Sequence, residues 1–391
     1  MRAFFISLVL ALLFATEPVF SFPQVVAGFI LGRPVTESSV EKQLGSMNAF
    51  TDPFIEGTDA ISVLKIPVGN PEVELSVLVV EPRRYGLRVE EKIEFQKNKN
   101  LDYTLSIGLD DGTASEAARK ILSEITGLAE GEVAEVTPTP EQMSQLLREQ
   151  ARVGGGIPST DHPRTIFLLL GYGVPKKVGW PMALLLANHG IRTVIPDLRG
   201  QGESGGKGVT WGKNEPGDLA DLLTALQSKG IVGEESVAVL GVSYGAVMAA
   251  LWASQDPRVE TAVLAAPYQR ADTKIITASH SFMGDIKLPF TLKKETLIKG
   301  TELAAKRLDM SWEDVSAIEA VPKIPNPVLF LASSGDELIP QEEVKELYET
   351  AQEGSKLHVY EKLPHLLLGL NFTGIESVVV EWLKETGFLE P

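Results

Sequence analysis

The sequence has no cysteine. That excludes disulfides, thiolate zinc sites, a cysteine nucleophile and lipidation at an N-terminal cysteine. It leaves the redox compartment open, because a cysteine-free chain fits either one. Positive charge is also short: 36 Lys and Arg against 52 Asp and Glu give a formal net charge of −16. Such a chain is not expected to bind nucleic acid or anionic lipid by electrostatics, and its acidity reads as an aid to solubility. Histidine is scarce, at 5 in 391 residues. No histidine–carboxylate spacing suggests a metal site, so neither metal nor cofactor is expected. The apolar run AFFISLVLALLFAT after Arg2 is too short for a comfortable membrane span. With Val19 and Ser21 at positions −3 and −1 of a cut after Ser21, residues 1–21 read as a secretory signal peptide. The expectation is export, periplasmic or secreted, with no membrane span in the mature chain. The alternative is an uncleaved N-terminal membrane anchor, since VVAGFILG at 25–32 continues the apolar character.

What is present is ordinary for a globular protein with a sizeable core: 44% hydrophobic and 23% charged residues. The length admits one large domain or two smaller ones. ISVLKIPV and VELSVLVVEP predict two strands around a Gly-Asn-Pro turn, and LRVEEKIEF with LDYTLSI predicts a hairpin with one solvated face. Two helices are predicted next, one opened by the Thr113 and Glu116 capping box, the other by Thr139 and Pro140. After a flexible break at 154–159, short apolar strands (TIFLLL, TVIP, VAVLGV, TAVLAA, VLFLA, LHVY) alternate with helices. That alternation describes a parallel sheet covered on both faces. Residues 268–323 interrupt it with helical patterns and an apolar set (Phe282, Met283, Ile286, Leu288, Phe290), a candidate helical lid.

Gly-x-Ser-x-Gly occurs twice, as GESGG at 202–206 and GVSYG at 241–245. Ser243 lies where a predicted strand ends and a helix begins, a turn that exposes a hydroxyl above the carboxyl end of a sheet. Gly241 and Gly245 are the small residues such a close strand–helix approach needs. Ser204 sits in a glycine-dense loop with no helix after it. A serine nucleophile needs a base, and the base needs an orienting acid. Asp336 and His365 each follow a predicted strand on a loop at the carboxyl end, and Glu337 is the rival acid. The chain order is then Ser243, Asp336, His365.

These residues resemble the α/β-hydrolase superfamily, in its serine esterase and peptidase-like branch. The resemblance spans roughly 60–391 and rests on GVSYGA, DLRGQGES (197–204), GDELIP and LPH. It implies an α/β-hydrolase fold over residues 22–391, with a mostly parallel central sheet; the segment at 83–160 (hairpin plus two helices) departs from the family as an insertion, and 268–323 is the candidate lid. Within that fold Ser243 is the implied nucleophile, His365 the base and Asp336 its orienter. The Tyr244 amide and that of Tyr172 (or Gly173) form the oxyanion hole, and the Tyr172 hydroxyl is a further candidate donor. Relatives often carry His-Gly where this chain has Leu170-Gly171. Asp197, Arg199, Gly200, Gly202 and Ser204 match a family loop near the site, which makes Ser204 structural. The activity implied is an exported serine carboxylesterase acting on a small ester through an acyl-enzyme. The alternative is a prolyl-oligopeptidase-like serine peptidase acting on a short peptide-like substrate, though no segment has the size of a β-propeller. A non-catalytic binding protein is the remaining alternative. Oligomeric state is not readable.

Overall fold

Buried parallel strands must be apolar on both faces, and the continuous apolar runs of this chain become such strands. The computed structural model describes residues 22–32, 60–83, 87–95, 101–109, 163–283 and 294–390. The signal-peptide segment 1–21, the two helices predicted after Thr113 and Thr139, the break at 154–159 and lid residues Ile286, Leu288 and Phe290 lie outside them. In chain order the elements are α1 (Phe22–Ile30), β1 (Ile61–Val68), β2 (Val73–Val80), β3 (Leu87–Phe95), β4 (Leu101–Leu109), β5 (Thr165–Leu169), α2 (Trp180–Ala187), β6 (Arg192–Pro196) and α3 (Glu215–Ser228). They continue with β7 (Val237–Val242), α4 (Tyr244–Ala253), β8 (Val259–Ala265), α5 (Ala271–Met283), α6 (Lys294–Leu308) and α7 (Ala317–Ala320). The last are β9 (Val328–Ser333), α8 (Gln341–Tyr348), β10 (Lys356–Tyr360), α9 (His365–Leu370) and α10 (Phe372–Glu385).

Among the described residues one 8-stranded sheet runs in the order β1-β2-β6-β5-β7-β8-β9-β10, with β1 and β10 at its edges. β2 is antiparallel to both β1 and β6, and every other neighbouring pair is parallel. The predicted hairpin of β3 and β4 forms, in register from Leu87↔Leu109 to Phe95↔Leu101, as a separate 2-stranded sheet. Along β7 the side chains divide by alternation. Val237 and Val239 join the apolar layer of α3 and α4, while Ala238 and Leu240 join that of α2 and α10. α4 is buried all round, as expected of a helix with no polar face. Within 268–323 the described residues form helices and no strand.

α3 starts at Glu215, and Pro216 fits its first turn, where the missing N–H costs nothing. Gly217 in that turn is exposed, and an added Cβ would meet nothing within 4 Å. Gly217→Ala is expected to raise stability by about 0.5 kcal/mol by lowering the entropy of the unfolded chain. A denaturant midpoint unchanged or lower in the variant would contradict this.

α1 comes from the apolar stretch that follows the predicted cleavage point. Val26, Ala27 and Ile30 are buried, and Gly300 of α6 lies so close that a Cβ there would fall 2.3 Å from Val26 Cγ1. The Ile30 carbonyl accepts a hydrogen bond from Trp211 Nε1 at 2.7 Å. Among the described residues no helix is long and apolar enough to cross a membrane.

Candidate active site

β7 ends at Val242, and α4 begins at Tyr244. The turn between them puts Ser243 at φ 55° and ψ −113°, a conformation L-residues avoid unless their surroundings hold it. Three backbone bonds do so. Ser243 N–H donates to Ala265 O at 2.8 Å, and Ser243 O accepts from Ala246 N–H (3.0 Å) and Val247 N–H (3.3 Å). The flanking glycines are obligatory: a Cβ on Gly241 would fall 2.3 Å from Gly245 O, and one on Gly245 would fall 2.1 Å from Leu169 O.

His365 Nε2 lies 3.0 Å from Ser243 Oγ, and His365 Nδ1 lies 2.7 Å from Asp336 Oδ2. The Asp336 side chain has no solvent exposure, and that of His365 has 19%. Asp336 Oδ1 also accepts the N–H groups of Leu338 (2.9 Å) and Ile339 (2.8 Å), which fixes the carboxylate plane. Glu337, the rival acid, is exposed. His365, expected on a loop, is instead the first residue of the short helix α9, with Pro364 as its cap. The two loops are stapled by the serines before Asp336. Ser333 Oγ donates to Leu363 O at 2.7 Å, and Ser334 Oγ accepts from Lys362 N–H at 3.0 Å. Gly335 allows that approach, since a Cβ there would fall 2.4 Å from the Lys362 carbonyl carbon.

The loop after β5 runs beside the elbow, with the Gly171 Cβ position 3.7 Å from Ser243 Cβ. Residues 171–174 form a β-turn closed by Val174 N–H to Gly171 O at 3.1 Å, with Gly173 at φ 74° as its third residue. The Gly173 N–H is taken by Gln201 Oε1 at 2.7 Å. Of the two amides of this turn considered as partners of Tyr244's, that of Gly173 is therefore already engaged. The Tyr172 ring stacks on Trp211 (centroids 5.3 Å, 14°) and meets Tyr244 edge-on at 6.0 Å. Burial pushes the Tyr172 phenol above its ordinary pKa, so it stays protonated. Trp211 meets Tyr244 (5.5 Å) and Trp312 (6.2 Å) edge-on, closing an aromatic group behind the elbow.

The other Gly-x-Ser-x-Gly serine is occupied. Ser204, 2% exposed, donates through Oγ to Asp197 O at 2.5 Å and accepts from Ser76 N–H at 2.8 Å. Its loop serves the site indirectly. The Asp197 carboxylate accepts Lys176 N–H (2.7 Å), Lys176 Nζ (2.9 Å) and Glu203 N–H (2.9 Å), anchoring the end of the 171–176 loop. Lys176 Nζ also reaches Glu203 Oε2 at 2.7 Å, and that bond holds the Glu203 carboxyl below its usual pKa. Arg199 forks onto Asp218 at 2.7 and 2.5 Å. Gly202, at φ 46°, lies so near that a Cβ would fall 2.3 Å from the Asp197 carboxyl carbon. Lys176 and Glu215, both buried, were not singled out from the sequence, where charged residues read as surface.

The remaining histidines are elsewhere. His189 contacts Glu376, and His358 packs on Tyr360 at 4.5 Å. The side chain of His280 and all of His162 lie outside the described residues. Among the described residues no group of three or more His, Cys, Asp or Glu could hold a metal ion.

Comparison with known proteins gives three findings. A sequence model described as "Alpha/beta hydrolase family" matches residues 166–370. YqkD of Bacillus subtilis (strain 168), described as uncharacterized, is 26% identical over 212 residues, covering 53% of this chain and 66% of YqkD. The chain thus spans slightly under two thirds of that relative's length. The polyketide transferase grgF of a Penicillium species is 21% identical over 259 residues, covering 57% of this chain and 87% of its own. Among solved structures, the Pyrococcus furiosus esterase Pf2001 superposes with a TM-score of 0.51 at 16% identity, over 91% of this chain and 97% of its own, a likeness of fold.

Proposed function

The chain belongs to the alpha/beta hydrolase family, and from that premise we propose that it is a serine hydrolase cleaving carboxylic esters. One observation carries the reading: the line Ser243 Oγ to His365 Nε2 at 3.0 Å, then His365 Nδ1 to Asp336 Oδ2 at 2.7 Å. Ser243 attacks the acyl carbon as His365 takes its proton. The C–O bond to the alcohol then breaks, and His365 returns the proton to the leaving oxygen. Water, deprotonated by the same imidazole, releases the acid. Asp336 holds the ring with its proton on Nδ1. The N–H groups of Tyr172 and Tyr244 take the negative oxygen of each tetrahedral intermediate.

Export after removal of residues 1–21 belongs to the same proposal, with the helices of 268–323 as the lid and 83–160 as an inserted segment.

The test is labelling of the full chain with a fluorophosphonate probe, followed by mass-spectrometric mapping of the adduct. The adduct is expected on Ser243 and lost in Ser243→Ala. An adduct on Ser204, or one that survives Ser243→Ala, sinks the mechanism. A panel of short and long acyl esters beside aminoacyl amides then fixes the substrate class. Amide turnover equal to ester turnover would favour the peptidase alternative.

A further inference from the structure

The ester-cleaving mechanism leaves one fully buried carboxylate unused. Glu215 opens α3, and its residue exposure is 0%. Both of its oxygens are saturated by donors from the two sides of the site. Oε1 accepts Thr210 N–H at 2.6 Å and Tyr244 Oη–H at 2.9 Å. Oε2 accepts Thr210 Oγ1–H at 2.6 Å and Gly212 N–H at 2.8 Å. Between the two gripped amides stands Trp211, at φ 55°, a conformation that few side chains adopt without support. Its ring carries Tyr172 in a parallel stack at 5.3 Å. One carboxylate therefore holds Tyr244 directly and Tyr172 through Trp211.

We propose that Glu215 is a positioning residue that sets the spacing of the two oxyanion-hole amides. The inference rests on the reading of Ser243 as the nucleophile. The residue after a nucleophile on a strained turn must keep its N–H aimed at the developing charge. A tyrosine side chain tied to a buried anion limits rotation of that peptide. On the opposite side, the Trp211–Tyr172 stack fixes how closely the 171–174 turn approaches. Preorganised donors of this kind act on the transition state and little on the bound substrate. The surroundings suit the role. Burial, with Glu215 nearby, holds the Tyr244 phenol well above its usual pKa, so it remains a donor.

Glu215→Gln separates this from a packing role, because it keeps shape while removing one acceptor. Whichever way the amide turns, its NH2 opposes a backbone N–H: that of Thr210 at the Oε1 site or that of Gly212 at the Oε2 site. The hydroxyls of Thr210 and Tyr244 rotate to suit, but the backbone does not. The expected result is kcat lower by about 10- to 100-fold per titrated Ser243, with KM within about twofold. Affinity for a trifluoromethyl ketone, whose hemiketal oxygen needs the same two amides, should fall in parallel with kcat/KM. Tyr244→Phe removes a single donor and should lower kcat several-fold. The double variant should be no slower than Glu215→Gln, since the two changes break one connection. If Glu215→Gln does not fold, Tyr244→Phe alone decides, and a wild-type kcat there overturns the inference. So does a Glu215→Gln enzyme whose per-site kcat and ketone affinity match wild type. Wild-type protein with neither Ser243-dependent labelling nor ester turnover overturns the serine reading itself.

Discussion

Asparagine in place of Asp336 is expected to lower ester turnover by about four orders of magnitude while leaving the fold intact. The geometry dictates which way the new amide faces. Leu338 and Ile339 both donate N–H groups to Oδ1, at 2.9 and 2.8 Å, so the asparagine oxygen must take that place. Its NH2 then occupies the Oδ2 position, 2.7 Å from His365 Nδ1. Two donors cannot face each other there, so Nδ1 becomes the lone pair and the ring proton moves to Nε2. Nε2 is the atom 3.0 Å from Ser243 Oγ, and in this tautomer it cannot receive the serine proton. The check is kcat on a saturating ester together with the melting temperature. A loss under about 100-fold at unchanged melting would mean that His365 has another orienter. An alanine at this position would remove the acceptor without installing a donor, and is expected to be less damaging than asparagine to the tautomer itself.

The second large effect is on folding. Gly245→Ala is expected to cost on the order of 3 kcal/mol, the upper range for overpacking. Its Cβ would fall 2.1 Å from Leu169 O, 2.4 Å from Leu169 C and 2.7 Å from Leu170 O, all backbone atoms. No rotamer relieves that overlap, so α4 would have to draw away from β5. α4 also carries the turn at Ser243, so surviving folded protein should turn over more slowly. Denaturant midpoints for Gly245→Ala and Gly217→Ala should move in opposite directions, although both add one methyl group to a helix. A Gly245→Ala midpoint equal to wild type would mean that α4 is held more loosely than these distances require.

The strands were legible because a strand buried on both faces has no choice but continuous apolar side chains, as in TIFLLL and VAVL. The two serine patterns were separable because only Ser243 has a helix behind it. Asp336 and Glu337 are neighbours that face opposite ways, one buried against His365 and the other exposed. Other features left little trace. Nothing marks Glu215 off from an acidic residue placed at a helix start for its dipole, and its four donors come from Thr210, Gly212 and Tyr244, distant or unremarkable in sequence. Lys176 follows Pro175 and precedes Lys177, like any solvated pair, yet its ammonium is sealed against Asp197. α1 was obscure because its burial depends on α6, some 270 residues further on. The one-residue helical start at His365 lies within the usual uncertainty of a helix end.

The edges of the eight-stranded sheet have a consequence for behaviour at high concentration. An edge strand offers unpaired amides and carbonyls to any extended chain that meets it, and exposed valines (Val63 at 42%, Val359 at 41%) would reward such a meeting. β1 answers with Lys65 and with Pro67, which has no N–H to offer, both exposed. β10 answers by brevity, at 5 residues with Lys356 at its start. A neighbour trying to extend the sheet at either end would meet a charge or a missing donor within a few residues, so zipping into a continuous intermolecular sheet is discouraged at both of its borders.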